Sequence, residues 1–229
     1  MVLCARTHGF ALVPSGGRTG LSGGAVAANG EVVVSMDKLK AVGAVNVTDR
    51  SVTVGAGAIT QSIQDAASQV GLFYPVDFAS SGSSQIGGNI ATNAGGINVI
   101  RYGMTREWVA GLTVVTGKGE VMALNKGLTK NNTGLDFRHL FIGSEGILGF
   151  ITEATLKLTA PPKNATVLVL GLSDMDAIMR VLERIQSTAS LLAYEFFSEL
   201  AVSKVVEHAG VARPFDTQTP FYALIEFEN

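Results

Sequence analysis

The sequence predicts a mixed helix-and-strand protein of the α+β class, built in two parts. Three observations carry that expectation. Of the 27 glycines in 229 residues, 25 lie between Gly9 and Gly149. The composition breaks at Pro161-Pro162-Lys163-Asn164, a turn or linker, so the parts are read as residues 1–160 and 164–229. After the break the order strand–helix–strand–helix–strand, with little glycine, describes a small α+β layer.

The elements follow from local patterns. Val2 to His8 reads as the end of a helix stopped by Gly9, and Phe10 to Val13 as a short strand closed by Pro14. Glu31 to Ser35 is valine-rich and predicts a buried strand. Val42 to Val47 and Ser51 to Val54 alternate, with Thr48-Asp49-Arg50 as the turn between them. Ile59, Ile63, Ala66, Ala67 and Val70 share one helical face, which predicts a helix over 59–70 ended by Gly71. Leu72 to Tyr74 is extended, and Gln85 to Asn93 is a short helix in glycine-rich surroundings. Val109 to Thr116 and Glu120 to Leu124 flank Gly117-Lys118-Gly119 as a hairpin. Phe150 to Leu158 alternates as a half-buried strand, with Ile151, Glu153, Thr155 and Lys157 on one face. In the second part, Thr166 to Leu170, Leu191 to Phe197 and Phe221 to Phe227 are strands. Ser173 opens a helix in capping-box fashion, whose apolar face is Met175, Ile178, Met179, Leu182 and Ile185, and Glu199 to His208 forms another helix.

Composition excludes several classes of function. With 47% apolar residues the chain has a full core and is not disordered. A net charge of −2 gives no electrostatic case for binding nucleic acid or a membrane surface. The single cysteine, Cys4, excludes a disulfide framework and a cysteine zinc site. No apolar run approaches the roughly 18 residues of a membrane span, and Met1 to Phe10 lacks a cleavable signal, so the expected location is cytoplasmic.

Three segments carry chemistry. Pro14 to Gly24 follows a strand and holds five glycines, hydroxyl side chains and Arg18, the composition of a loop that turns several backbone N–H groups into one concavity, as a pyrophosphate requires. Ser80 to Gly96 is a second glycine- and hydroxyl-rich segment, with side-chain amides at Asn89 and Asn93. Two such loops can clamp opposite sides of a long anionic ligand. Gly143 to Gly149 places a glycine at every third position, which suits either close approach to a flat ring or a tight turn. Other motifs fail on inspection. Gly55-Ala56-Gly57 mimics a nicotinamide-dinucleotide fingerprint, with Asp77 at its acidic position, but Thr60 stands where a glycine or alanine is needed. Gly117-Lys118 has the wrong spacing for a phosphate loop, and no Gly-x-Ser-x-Gly elbow occurs. His8, His139 and His208 are scattered, as surface or packing residues rather than ligands or bases, and Trp108, Phe196 and Phe197 are read as core.

The ordered series of motifs resembles the FAD-binding (PCMH-type) domain of the vanillyl-alcohol-oxidase-type flavoproteins. The matching pieces are Pro14 to Gly24, Val54 to Gly57, Gly82 to Gly96, Arg101-Tyr102-Gly103, Gly143 to Gly149, and Ile151-Thr152-Glu153-Ala154. The nearest branch holds D-lactate dehydrogenases, D-2-hydroxyglutarate dehydrogenases and the glycolate oxidase FAD subunit. The resemblance implies a two-subdomain FAD-binding domain followed by the beginning of an α+β cap, or substrate, domain. It implies that Pro14, Ser15, Gly16, Gly17, Arg18, Thr19, Gly20, Leu21 and Gly23 hold the pyrophosphate. Pro75, Asp77, Gly82, Ser83, Gly87, Gly88, Asn89, Thr92, Asn93, Gly95 and Gly96 would line the cofactor, and Glu145, Gly146 and Ile151 the remaining wall. Members that attach FAD covalently carry a histidine after the Gly-Gly pair; Arg18 stands there in this chain, so the FAD is expected to be non-covalent.

The implied reaction is oxidation of a small 2-hydroxy acid by hydride transfer to flavin N5, with a quinone, a cytochrome or an electron-transfer flavoprotein as electron acceptor. A homodimer stays open. No catalytic or metal-ligating residue is assigned within the chain, because the branch carries its histidine-rich base and metal site in a C-terminal part. The chain is therefore expected to be a fragment of a protein about twice as long. An enolpyruvyl-sugar reductase-like flavoenzyme and a non-catalytic FAD-binding subunit are the alternatives.

Overall fold

A computed structural model describes residues 1–228. The chain divides into two compact units, Met1–Gly96 with Met104–Pro161, and Ile97–Gly103 with residues 162–228. Assigning residues 1–160 to one continuous domain misses that exchange. The short helix Val99–Tyr102 groups with the second unit because it packs on the strand Ser190–Ser198 there.

The first unit opens with helix α1 (Val2–His8), ended as expected by Gly9 in the left-handed region at φ 70°. Strands β1 (Leu12–Ser15) and β2 (Val32–Ser35) form a two-stranded parallel sheet. Two expectations are corrected there. Pro14 does not close β1 but lies inside it, opposite Val34, which a strand tolerates when one of its edges carries no ladder. The β2 valines are also not buried: Val32 and Val33 are exposed, because the two-stranded sheet leaves a face uncovered.

The core of this unit is an antiparallel sheet of order β3-β6-β4-β5, made of Ser51–Gly55 (β3), Val109–Thr116 (β4), Val121–Leu124 (β5) and Gly149–Lys157 (β6). Val42 to Val47 contributes only isolated bridges at Val42 and Asn46, not a full strand. Helices α2 (Thr60–Ser68) and α3 (Ile86–Ala91) bury Ile63, Ala67, Ile86 and Ile90 among Val52, Val54, Leu112, Val114, Ala154 and Leu156. The strict alternation expected of β6 is broken. Thr113 pairs with Glu153 but Val114 pairs with Ile151, so Thr152 is bulged out. The extra residue reverses the side-chain parity and turns Ile151 inward, onto the buried side with Ala154.

Short helices α4 (Val99–Tyr102), α5 (Thr105–Trp108) and α6 (Arg138–Phe141) complete the connections. The second unit is an antiparallel sheet of order β7-β9-β8, from Ala165–Leu172 (β7), Ser190–Ser198 (β8) and Phe221–Glu228 (β9), with α7 (Met175–Gln186) and α8 (Glu199–Ala209). The α7 cap is Asp174, whose Oδ1 accepts from Ala177 N at 2.7 Å, while Ser173 only donates to the Asp174 carboxylate. Its buried face is Ile178 with Val181, Leu182 and Ile185; Met175 and Met179 point away. Phe196 is exposed rather than core, and Phe197 stacks on Tyr222 at 5.5 Å. Among the described residues no helix is long and apolar enough to cross a membrane.

Candidate functional site: a glycine-walled cofactor cavity

The first unit encloses a cavity of about 510 Å³, within the range of small-molecule clefts. Its walls are the three glycine-rich segments. Gly16 to Gly20 and Ser22 to Val26 form one side, Gln85, Gly87 to Asn89, Ala91, Thr92 and Ala94 to Gly96 another, and Ser144, Glu145, Gly146, Gly149 and Ile151 the third.

Glycine has two separate functions in these walls. At some positions it lets the backbone pack against neighbours that leave no room for a side chain. A Cβ on Gly17 would collide with the Ser83 carbonyl, one on Gly87 would come 2.7 Å from the Ala56 Cβ, and one on Gly146 (φ 86°) would come 2.7 Å from Pro14 Cγ. At Gly20, Gly23 and Gly88 the opposite holds: a Cβ there would meet nothing within 4 Å. These three line the cavity, so the missing side chains keep it open. Gly55 and Gly57, the fingerprint mimic, instead press against the Leu39 and Met36 carbonyls and do not line the cavity.

A buried polar network fixes α3 beneath the cavity. Asn89 Nδ2 donates to Thr60 Oγ1 at 2.7 Å, and Thr60 Oγ1 lies 2.8 Å from Ser84 Oγ. Gln85 Nε2 donates to Asp37 Oδ1 at 2.8 Å, tying the start of α3 to the end of β2. The Ser35 hydroxyl, and then this amide, hold the Asp37 carboxyl below the ordinary aspartate range. Arg18 sits in the left-handed region at φ 56°, so the first loop carries its cation on a strained residue.

Of the residues expected to touch a cofactor, Pro14, Gly16, Gly17, Arg18, Thr19, Gly20 and Gly23 lie on the wall, as do Gly87, Gly88, Asn89, Thr92, Gly95, Gly96, Glu145, Gly146 and Ile151. Seven lie off it. Ser15 is buried in β1, and Leu21 is fully exposed. Pro75 is buried behind the wall, and Gly82 lies beyond it. Ser83 supports Gly17 through its carbonyl, and the Asp77 backbone lies against Gly96 while its carboxylate accepts from Gln64 Nε2 at 3.2 Å. Asn93 accepts from Arg106 N at 3.0 Å. The wall also includes residues not singled out by the motifs: Ser22, Gly24, Ser80, Gln85, Ala91, Ala94, Ser144 and Gly149, all within the motif segments, and Ala25, Val26, Met36 and Phe78. No motif marks Met36 or Phe78; the fold alone brings them to the wall.

The described residues hold no group of three or more His, Cys, Asp or Glu arranged to bind a metal ion. A cleft with bare glycine backbone at Gly20, Gly23 and Gly88 and with Arg18 on its wall suits a flat, anionic, dinucleotide-sized ligand.

Comparison with known proteins agrees with that chemistry. Residues 1–125 match the family described as FAD binding domain, and residues 161–229 match the C-terminal domain of FAD linked oxidases. A D-2-hydroxyglutarate dehydrogenase of Stutzerimonas stutzeri is 59% identical over 228 residues, covering 100% of this chain and 49% of that protein. One of Xanthomonas citri pv. viticola is 54% identical, covering 99% of this chain and 48% of its own length. A mitochondrial D-2-hydroxyglutarate dehydrogenase of Danio rerio is 36% identical, covering 95% of this chain and 41% of its own. The chain thus spans about half the length of the curated relatives it matches. Among solved structures, alkyldihydroxyacetonephosphate synthase superposes with a TM-score of 0.79 at 21% identity, over 99% of this chain and 46% of that one, a likeness of fold. With more than half of its residues in the first of these domains and residues 161–229 in the second, the chain belongs to the FAD-binding-domain family of FAD-linked oxidases, and its cofactor is FAD.

Proposed function

We propose that this chain is the cofactor-holding part of an FAD-dependent dehydrogenase of 2-hydroxy acids, of the D-2-hydroxyglutarate type. The observation that carries the reading is the convergence of three separate glycine-rich segments on one cavity. FAD fits those walls on chemical grounds. The first loop offers backbone N–H groups and Arg18 to a pyrophosphate, and the bare surface at Gly88 admits a flat ring or sugar. The substrate class rests on the names of the 59% and 54% identical relatives.

When bound, FAD supplies a two-electron acceptor for the hydride released from the carbinol carbon of a hydroxy acid. The chain's own residues bind and orient. Backbone N–H groups of Gly16 to Gly20 would hold the phosphates and Arg18 would offset part of their charge, while Asn89, held by Thr60, fixes the α3 wall. Glu145 faces Gly24 across the mouth, its Oε2 about 3.0 Å from where a Gly24 side chain would begin. Attachment is non-covalent, since Arg18 occupies the loop position where a nucleophilic histidine would be needed.

The test is titration of the purified chain with FAD, followed by absorbance and fluorescence quenching, then acid precipitation. Saturable binding is expected, with all flavin in the acid supernatant. A folded chain that leaves the FAD signal unchanged removes the cofactor site, and flavin in the pellet removes the non-covalent attachment. Dye reduction by the D but not the L enantiomer of 2-hydroxyglutarate would support the substrate class; equal rates would refute it.

A further inference from the structure

The third wall of the cavity is a loop that needs holding. Glu145 at φ 52° and Asn93 at φ 49° are non-glycine residues in the left-handed region, where side chains are strained unless surrounding bonds over-determine them. The loop docks on the end of α3: Gly143 N donates to the Ile90 carbonyl at 3.0 Å, and Glu145 N to the Ala91 carbonyl at 2.8 Å. Both carbonyls belong to the last turn; the Ile90 carbonyl also accepts from Asn93 N at 3.0 Å, while Glu145 N is the donor to the Ala91 carbonyl.

Arg106, outside the cavity, reaches both strained segments. Its backbone N donates to Asn93 Oδ1 at 3.0 Å, behind the α3 wall. Its guanidinium donates through Nη2 to the Ile142 carbonyl at 2.7 Å, immediately before the loop. Through Nη1 it donates to the His139 carbonyl at 3.2 Å and to His139 Nδ1 at 2.8 Å. A guanidinium has no acceptor, so the His139 ring accepts at Nδ1 and carries its proton on Nε2, which lies 3.5 Å from Asp136 Oδ2. Arg138 in turn anchors Asp136 and donates to the Val109 and Ala110 carbonyls at 2.6 and 2.8 Å, so the clamp is fastened to β4.

We propose that Arg106 is a positioning residue for the cofactor: its planar fork, spanning Ile142 and His139 while its backbone holds Asn93, sets the separation between the α3 wall and the Gly143–Gly149 wall. The inference rests on the FAD reading of the cavity. A lysine at this position keeps the charge but cannot span two carbonyls with a fixed fork.

The experiment compares wild type, Arg106→Gln and Arg106→Lys as the full chain. Four quantities are read: apo melting temperature, FAD dissociation constant, visible circular dichroism of bound flavin, and hydrogen exchange at the Gly143 and Glu145 amides. Arg106→Gln should weaken FAD binding roughly tenfold or more, change the flavin dichroism and speed exchange at both amides. Arg106→Lys should restore the apo melting temperature but neither the affinity nor the dichroism. Wild-type affinity and dichroism in the glutamine variant, or full restoration of all four by lysine, would overturn the inference. If the glutamine variant does not fold, the lysine variant decides alone. Wild-type chain without FAD binding would sink the cofactor reading instead, and amide exchange would still decide the clamp.

Discussion

Two neighbouring glycines separate folding from binding. Gly87 and Gly88 are adjacent on α3, but Gly87 presses on Ala56 while Gly88 faces open space. Alanine at Gly87 must push Ala56 aside and should destabilise the fold by about 1–3 kcal/mol. Alanine at Gly88 meets no obstacle and replaces a helix-interior glycine, so it should raise apo stability by up to about 1 kcal/mol. Leucine at Gly88 should keep the fold and fill the cavity, weakening FAD binding by roughly tenfold or more. Paired thermal melts and FAD titrations check this, and weaker apo stability in Gly88→Ala would contradict it. The sequence shows the Gly-Gly doublet but not this division, because which face of a six-residue helix meets Ala56 is set by a contact 31 positions away in the chain. The same holds for Asn93: its side-chain amide was legible as a candidate, but its partner proved to be Arg106 rather than the cavity.

At the scale of elements, α8 and β9 are joined by one carboxylate. Glu199 opens α8, accepts from Tyr222 Oη at 2.7 Å and from Ser203 Oγ at 2.8 Å, and pairs with Arg213. The Tyr222 hydroxyl, with Ser203 and Arg213 behind it, holds this carboxyl below its ordinary 4.5 against a smaller upward push from burial. A depressed folded value means that the stabilisation is complete above the unfolded pKa and is lost as pH falls through the folded one. The melting temperature of the wild type should therefore drop below about pH 4.5, and Glu199→Gln should flatten that part of the profile. An acid limb of unchanged steepness in the variant would assign the loss to other carboxylates. Element positions were largely legible. The α1 stop at Gly9, the β4–β5 hairpin, and the helices starting at Thr60 and Glu199 follow local signals. The misreadings share one cause. Burial of β2, the parity of β6 at Thr152 and the face of α7 each depend on what packs opposite, and no local pattern reports that.

For the whole molecule, the two units should respond differently to the cofactor. Every residue lining the cavity belongs to the first unit. FAD at about a hundred times its dissociation constant should stabilise the native state by about 2.7 kcal/mol. Hydrogen exchange should slow at residues 14–26, 85–96 and 143–151, with little change in locally opening amides of 165–228. Equal protection in both units would place the cofactor elsewhere or make the units one cooperative block. By itself the sequence determined that glycine-rich loops suit a long anionic ligand, and the resemblance of its ordered motifs to a flavoprotein family implied FAD. It determined most helix and strand locations, because caps, turns and apolar periods act within a few residues. The tertiary structure decided which glycines pack and which leave space, which side of β6 Ile151 occupies, and that residues 97–103 leave the first unit. It also brought Met36, Phe78 and Arg106 to their places around the cavity. These outcomes depend on contacts between residues far apart in the chain, whose energies enter only once the backbone has closed on itself.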